Sequence, residues 1–166
     1  GVDKHYKQNE LGYFNFLDHQ RFSSRISYQI FKEYGFLRNY SNYLWFHDTR
    51  TFHSSDRKLW GLRFGNDFST QNLMVFEADF AYSSRTRDYD KPRTINRFIE
   101  EPENFQAKLV MKSNKNKDFS YRIQWNNFAY FKEDFEEQKS QNRLNLSTLY
   151  RFSEQFSLAL KSNHLN

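Results

Sequence analysis

Cysteine is absent from this 166-residue chain, which removes disulfide scaffolds, thiolate catalysis and zinc–thiolate sites together. No run approaches the ~20 consecutive apolar residues of a membrane-crossing helix. The mean hydropathy of −0.99, with 37% hydrophobic and 27% charged residues, is equally far from a helical membrane protein. There is no glycine-rich phosphate loop, no Ser-His-Asp order and no nucleophile elbow, so catalysis has no foothold and no cofactor is expected. The first residues, Gly1 to Tyr6, lack the basic, apolar and small-residue regions of a secretory signal, so the sequence reads as mature or excerpted. Net charge is +5, from 25 Lys and Arg against 20 Asp and Glu. The basic residues are scattered instead of forming a tail, so nucleic acid is not an expected partner.

What is abundant is aromatic: 20% of the residues, including 19 Phe and 11 Tyr, more than ordinary core packing demands. These rings sit in segments of about ten residues in which every second side chain is apolar. Between Phe119 and Asn126, the residues Phe119, Tyr121, Ile123 and Trp125 share one parity, and Ser120, Arg122, Gln124 and Asn126 share the other. That is a β-strand with one greasy and one wet face. About eight such segments occur. A membrane β-barrel needs only ~9–11 residues per strand, half of which can be polar, so its mean hydropathy looks soluble.

Strand one is expected near Phe22 to Phe31, ended by a reversal at Tyr34 and Gly35. Strand two, Leu37 to Asp48, is ambiguous, with Tyr43 and Trp45 on one face and Leu44 and Phe46 on the other. Strand three, Lys58 to Phe68, sends Trp60, Leu62, Phe64 and Phe68 one way and Gly61, Arg63, Gly65 and Asp67 the other, the glycines thinning the inner wall. Strand four, Asn72 to Ser83, opposes Met74, Phe76, Ala78, Phe80 and Tyr82 to Glu77 and Asp79. Strand five, Phe105 to Asn114, opposes Phe105, Ala107, Leu109 and Met111 to Gln106, Lys108 and Lys112. Strand six runs from Phe119 to Phe131. Strand seven, Arg143 to Phe152, opposes Leu144, Leu146, Tyr150 and Phe152 to Arg143, Asn145, Ser147 and Arg151. An eighth strand starts at Phe156 and fades before Asn166.

The connections after the odd-numbered strands are short: Lys32 to Phe36, Ser69 to Gln71, Lys115 to Asp118 and Ser153 to Gln155. The other three, Thr49 to Arg57, Ser84 to Glu103 and Lys132 to Gln141, are longer, polar, and hold both prolines, Pro92 and Pro102. This asymmetry predicts an all-β, antiparallel, up-and-down transmembrane barrel of about eight strands over residues 1–166, with short periplasmic turns and long extracellular loops. The expected lipid-facing residues are Trp60, Phe64, Phe76, Phe80, Phe119, Tyr121, Ile123, Trp125, Leu146 and Tyr150. The expected lumen-facing residues are Arg63, Glu77, Asp79, Lys108, Lys112, Arg122, Gln124, Arg143 and Arg151.

Three stretches carry a resemblance: Asn9 to Phe14 (NELGYF), Gly35 to Tyr40 (GFLRNY) and Leu149 to Leu158 (LYRFSEQFSL). Together they resemble the C-terminal barrel region of an uncharacterised Bacteroidota outer-membrane family, whose members join an N-terminal carbohydrate-binding-like domain to a larger barrel. The resemblance implies an outer-membrane location and more than eight strands, and carries no catalytic signature. The sugar-binding-like domain is missing from this sequence, as is a terminal strand ending in an aromatic, so a piece of a longer polypeptide is expected.

Other polar clusters have weaker chemical readings. His47, Asp48 and His53 offer imidazole and carboxylate for a divalent metal, but one loop rarely supplies a complete coordination sphere, so a polar rim is expected and no metal. Glu133, Asp134, Glu136 and Glu137 lack the glycine turn and spacing of a calcium loop and read as a solvated charge run. Lys115 and Lys117, flanked by Lys112 and Arg122, could attract phosphate; a periplasmic turn at the edge of the lipid band is the expectation. Glu77 and Asp79 should neighbour Arg63, Lys108 and Lys112, as cross-strand ion pairs filling a narrow lumen or within an anion-favouring wall in a wide one.

The leading expectation is a non-enzymatic outer-membrane barrel, in contact with outer-membrane lipid and with other envelope proteins, acting as a pore, scaffold or assembly subunit. The alternative is a soluble barrel of lipocalin or fatty-acid-binding type with its aromatic face around an apolar ligand, because alternation alone does not say which face is outside. An enzyme with its site in the long loops is the third class, and no constellation supports it.

Overall fold

Alternation over ten or more residues, with few glycines and prolines to interrupt it, dictates long strands, and these dominate the computed structural model, which describes residues 19–51, 55–88, 99–131 and 140–166. They are β1 (His19–Ile30), β2 (Leu37–Thr51), β3 (Arg57–Thr70), β4 (Val75–Ser83), β5 (Thr86–Asp88), β6 (Ile99–Glu101), β7 (Asn104–Lys112), β8 (Phe119–Tyr130), β9 (Ser140–Arg151) and β10 (Ser157–Leu165). Eight form one antiparallel sheet in the order β1-β2-β3-β4-β7-β8-β9-β10, and β5 pairs with β6 as a separate two-stranded hairpin. The chain is thus an all-β meander. Among the described residues β1 and β10 do not pair, so the eight strands form an open sheet rather than the closed barrel that the alternation suggested.

The turns follow their residue chemistry. Gly35 takes φ +58, the left-handed conformation that glycine adopts without a Cβ penalty. Asn114 Oδ1 accepts the Asn116 amide proton at 2.8 Å, and Ser153 Oγ accepts that of Phe156 at 3.1 Å, so both turns are closed by their own side chains. Leu73 is left-handed at φ 62 without being glycine, so β4 begins at Val75 and not at the expected Asn72. β2 and β3 outrun their expected ends, to Thr51 and from Arg57, so the connection read as Thr49 to Arg57 shrinks and the contrast in loop length rests on the other two. The β5–β6 hairpin lies inside the stretch expected to be a plain loop, Ser84 to Glu103.

Successive registers carry each residue's face across the sheet. Ile26, Leu44, Phe64, Phe80 and Ala107 form one cross-strand row. A second row joins Phe68, Phe76, Met111, Ile123 and Leu146 on the same face. This apolar face has no layer packed on it among the described residues. The only buried hydrophobic residues among them are Ala107 and Val110, while Leu44 is 48%, Phe64 40% and Leu109 41% exposed in the middle of the sheet. A sheet in water normally covers one face with a second layer.

Candidate functional site

The polar face is where charges and amides gather, and it begins with two glycines. Gly65 on β3 lies opposite Tyr43 of β2 and Asp79 of β4. With no side chain at that position the Tyr43 ring lies flat across β3: a Cβ on Gly65 would meet Tyr43 Cε1 at 2.2 Å. The ring thereby reaches β4, where its hydroxyl donates to Asp79 Oδ2 at 2.7 Å. Arg63 Nε donates to the same carboxylate at 2.9 Å, and the Arg25 guanidinium stands 4.2 Å above the Tyr43 ring. One guanidinium and a phenol thus converge on Asp79, and a second guanidinium covers the phenol ring. Gly61 makes similar room two rows along the same face, where the His47 ring crosses β3 and stacks on Trp45 at 4.6 Å.

The next strands continue the charged patch. Lys112 Nζ donates to Glu77 Oε1, and Lys108 stands directly opposite Asp79. Three acids, Asp67, Glu77 and Asp79, therefore share the β3–β7 region of the face with three bases, Arg63, Lys108 and Lys112. From β8 onward the balance fails, because β8, β9 and β10 contain no Asp or Glu at all. Arg122, Arg143, Arg151 and Lys161 share this face with Gln124, Asn126, Asn145 and Ser147. The amides run as a ladder: Arg122 Nη2 donates to Gln124 Oε1 at 2.8 Å, and Gln124 Nε2 to Asn126 Oδ1 at 3.0 Å. A shallow groove of about 370 Å³ marks the junction of the neutral and basic halves, between Asp79, Gln106, Lys108, Gln124, Asn126 and Arg143.

The sheet sorts the sequence candidates as follows. Arg63, Glu77, Asp79, Lys108, Lys112, Arg122, Gln124, Arg143 and Arg151 share the polar face, and the ion pairs Arg63–Asp79 and Lys112–Glu77 form there. Trp60, Phe64, Phe76, Phe80, Phe119, Tyr121, Ile123, Trp125, Leu146 and Tyr150 share the other. His47 and Asp48 are consecutive on β2 and take opposite faces, so they do not converge on a metal; His53 lies outside the described residues. Glu133, Asp134, Glu136 and Glu137 also lie outside them, whereas Lys115 and Lys117 occupy an exposed turn. Sequence reasoning missed the Arg25–Tyr43 arm of the Asp79 cluster. The signal was present in the two glycines of β3, four residues apart, beside a strand with rings at both parities.

The apolar face carries polar groups that hydropathy alone would not place there, and they satisfy one another. Asn42 Nδ2 and Asn66 Nδ2 both donate to the Tyr40 hydroxyl, at 3.0 and 2.8 Å, and Asn127 Nδ2 donates to Asn142 Oδ1 at 3.0 Å. Aromatic pairs bridge neighbouring strands on this face, Phe68 with Phe76 at 4.8 Å and Trp60 with Tyr82 at 5.2 Å.

Over residues 1–166 the chain matches, and belongs to, a family described as a domain of unknown function, DUF5916. No curated protein and no solved structure matches it.

Proposed function

We propose that the chain is a wall segment of a bacterial outer-membrane β-barrel, without catalytic activity, whose apolar face meets acyl chains and whose polar face lines the lumen. It serves as a pore, scaffold or subunit of an envelope assembly. The observation that carries this reading is a sheet face rich in large apolar side chains on which no described residues pack, with the amides of Asn42, Asn66 and Asn127 bonded to neighbouring side chains. Hydrocarbon requires both features, since it welcomes the side chains and offers no partner to a free amide.

The distribution of rings supports the same reading. Phe31, Tyr34, Phe36, Phe152 and Phe156 are exposed at the rim of short turns, and Phe22 and Phe131 at the opposite rim, as in the aromatic girdles of membrane barrels. A lipocalin-like barrel would enclose the aromatic face. Of the most enclosed residues, Gly61, Gly65, Ser69 and Val110 belong to the polar face against Ala107 and Asp48 on the apolar one, a balance that favours the polar face as the inner one. Among the described residues the outer edges of β1 and β10 have no paired strand, which is costly in hydrocarbon, so further strands complete the barrel. The resemblance to the Bacteroidota outer-membrane family points the same way.

The three tryptophans test this directly, because Trp60 and Trp125 lie on the apolar face and Trp45 on the polar one. Single-tryptophan variants in vesicles of brominated lipid should show strong quenching of Trp125 and none of Trp45, which aqueous iodide should reach instead. Protection of Trp125 from both quenchers would mean an enclosed apolar interior and would overturn the proposal in favour of the soluble barrel.

A further inference from the structure

On the apolar face, at the rim of the β2–β3 connection, one carboxylate and two guanidiniums form a cluster that the wall function does not use. Asp48 stands between Phe22 of β1 and Trp60 of β3 in the same cross-strand row and is 8% exposed. Arg50 Nε lies 2.6 Å from its Oδ2 and Arg57 Nε 3.0 Å from its Oδ1. Arg57 reaches it through a register shift between Thr49 and Arg50, where Thr49 opposes Leu59 but Arg50 opposes Arg57. A bulge of this kind re-aims a side chain, here turning Arg57 toward the apolar face. The two arginines are left directly opposite each other, an arrangement that like charge disfavours. Arg50 donates a hydrogen bond to the carboxylate, whereas Arg57 pairs with it by charge alone and the buried Oδ1 accepts no hydrogen bond; the terminal nitrogens of both forks donate to no described residue, and the cluster keeps one net positive charge. The adjoining hollow of about 500 Å³ is lined by Phe22, Phe46, Asp48, Arg50 and Arg57, with Gln20 and Arg21 at the β1 side.

We infer that this cluster binds the phosphate group of a membrane lipid. Paired guanidinium forks match phosphate oxygens bidentately, and the row of Ile26, Leu44 and Phe64 continues from the hollow toward the middle of the sheet, where acyl chains would lie. The inference rests on the lipid-facing reading of that surface.

Native mass spectrometry of the full-length polypeptide from detergent tests it, with phosphatidic acid, phosphatidylcholine and inorganic phosphate as probes. The wild type should retain phosphatidic acid roughly tenfold or more over phosphatidylcholine, as expected for charge-assisted bonds to a phosphate monoester. The triple variant Asp48→Asn/Arg50→Gln/Arg57→Gln removes the cluster without orphaning a carboxylate and should lose that preference. Arg50→Lys/Arg57→Lys keeps the charge but not the fork and should keep only a fraction of it. Equal retention of the two lipids by the wild type, or an unchanged preference in the triple variant, overturns the site. Inorganic phosphate bound as well as phosphatidic acid overturns the lipid and leaves a free-anion site. Trp125 quenching by brominated lipid, read on the same samples, separates the failures: quenching with no preference sinks the cluster alone, and absent quenching sinks the lipid-facing reading beneath it.

Discussion

Replacing Gly65 with alanine tests the construction of the polar wall at one atom. The three atoms nearest the added Cβ, at 2.2–2.9 Å, all belong to the Tyr43 ring, so the ring must lift. Lifting breaks the hydroxyl bond to Asp79, a charge-assisted interaction whose loss costs about 1.5 kcal/mol at a partly exposed site. Crowding of the displaced ring adds about 1–2 kcal/mol. Relief of the conformational freedom of a strand glycine offsets about 0.5–1 kcal/mol. The net expectation is a loss of about 2 kcal/mol, measured by urea unfolding in micelles with tryptophan fluorescence. In a Tyr43→Ala background the space is already empty, so Gly65→Ala should become neutral or slightly stabilising. A cost that agrees within about 0.5 kcal/mol in the two backgrounds would show the residues to be uncoupled and would refute the reasoning.

Gly61→Ala should behave differently, because its Cβ would also meet the Tyr82 carbonyl oxygen at 2.8 Å, so a His47→Ala background should not rescue it in the same unfolding assay. Tyr40→Phe leaves the Asn42 and Asn66 amides without their shared acceptor and should lower stability by about 1–3 kcal/mol; adding Asn42→Leu and Asn66→Leu should recover much of it, read from urea midpoints. Gly35→Ala meets no atom within 4 Å but must hold φ +58, costing about 1 kcal/mol by thermal unfolding, and Gly35→Asn should cost less. If the polar face lines a conducting lumen, Arg122→Gln/Arg143→Gln should lower the anion-to-cation permeability ratio in planar bilayers, and an unchanged reversal potential would count against a basic wall there.

Strand positions were legible because the side-chain period of a strand is two: β8 reads Phe119, Tyr121, Ile123, Trp125 against Ser120, Arg122, Gln124, Asn126 without a break. β2 was not legible in the same way, since Tyr43, Trp45 and His47 alternate with Leu44 and Phe46 and both parities look apolar. Only its neighbour settles the face, through the glycines on which two of those rings lie. The bulge opposite Arg50 was invisible because a register shift belongs to a pair of strands and leaves no period of its own in either. β5 and β6, three residues each, are too short for any alternation to emerge. The Asp79 cluster was half readable: the hairpin parities brought Arg63 beside Asp79, whereas Tyr43 arrives from two strands away across a residue with no side chain.

In the large sheet the backbone pairing joins each strand only to its immediate neighbours, with no second layer among the described residues, and the Tyr43–Asp79 bond that spans β3 is a side-chain link added to that pairing. Such a wall is energetically close to a chain of dominoes, each hairpin depending chiefly on the next. Its assembly can zip from either side through contacts that are local in sequence. A two-stranded unit could be gained or dropped at an edge without repacking what remains, so in the barrel we propose the circumference is free to vary while the chemistry of each stave is kept.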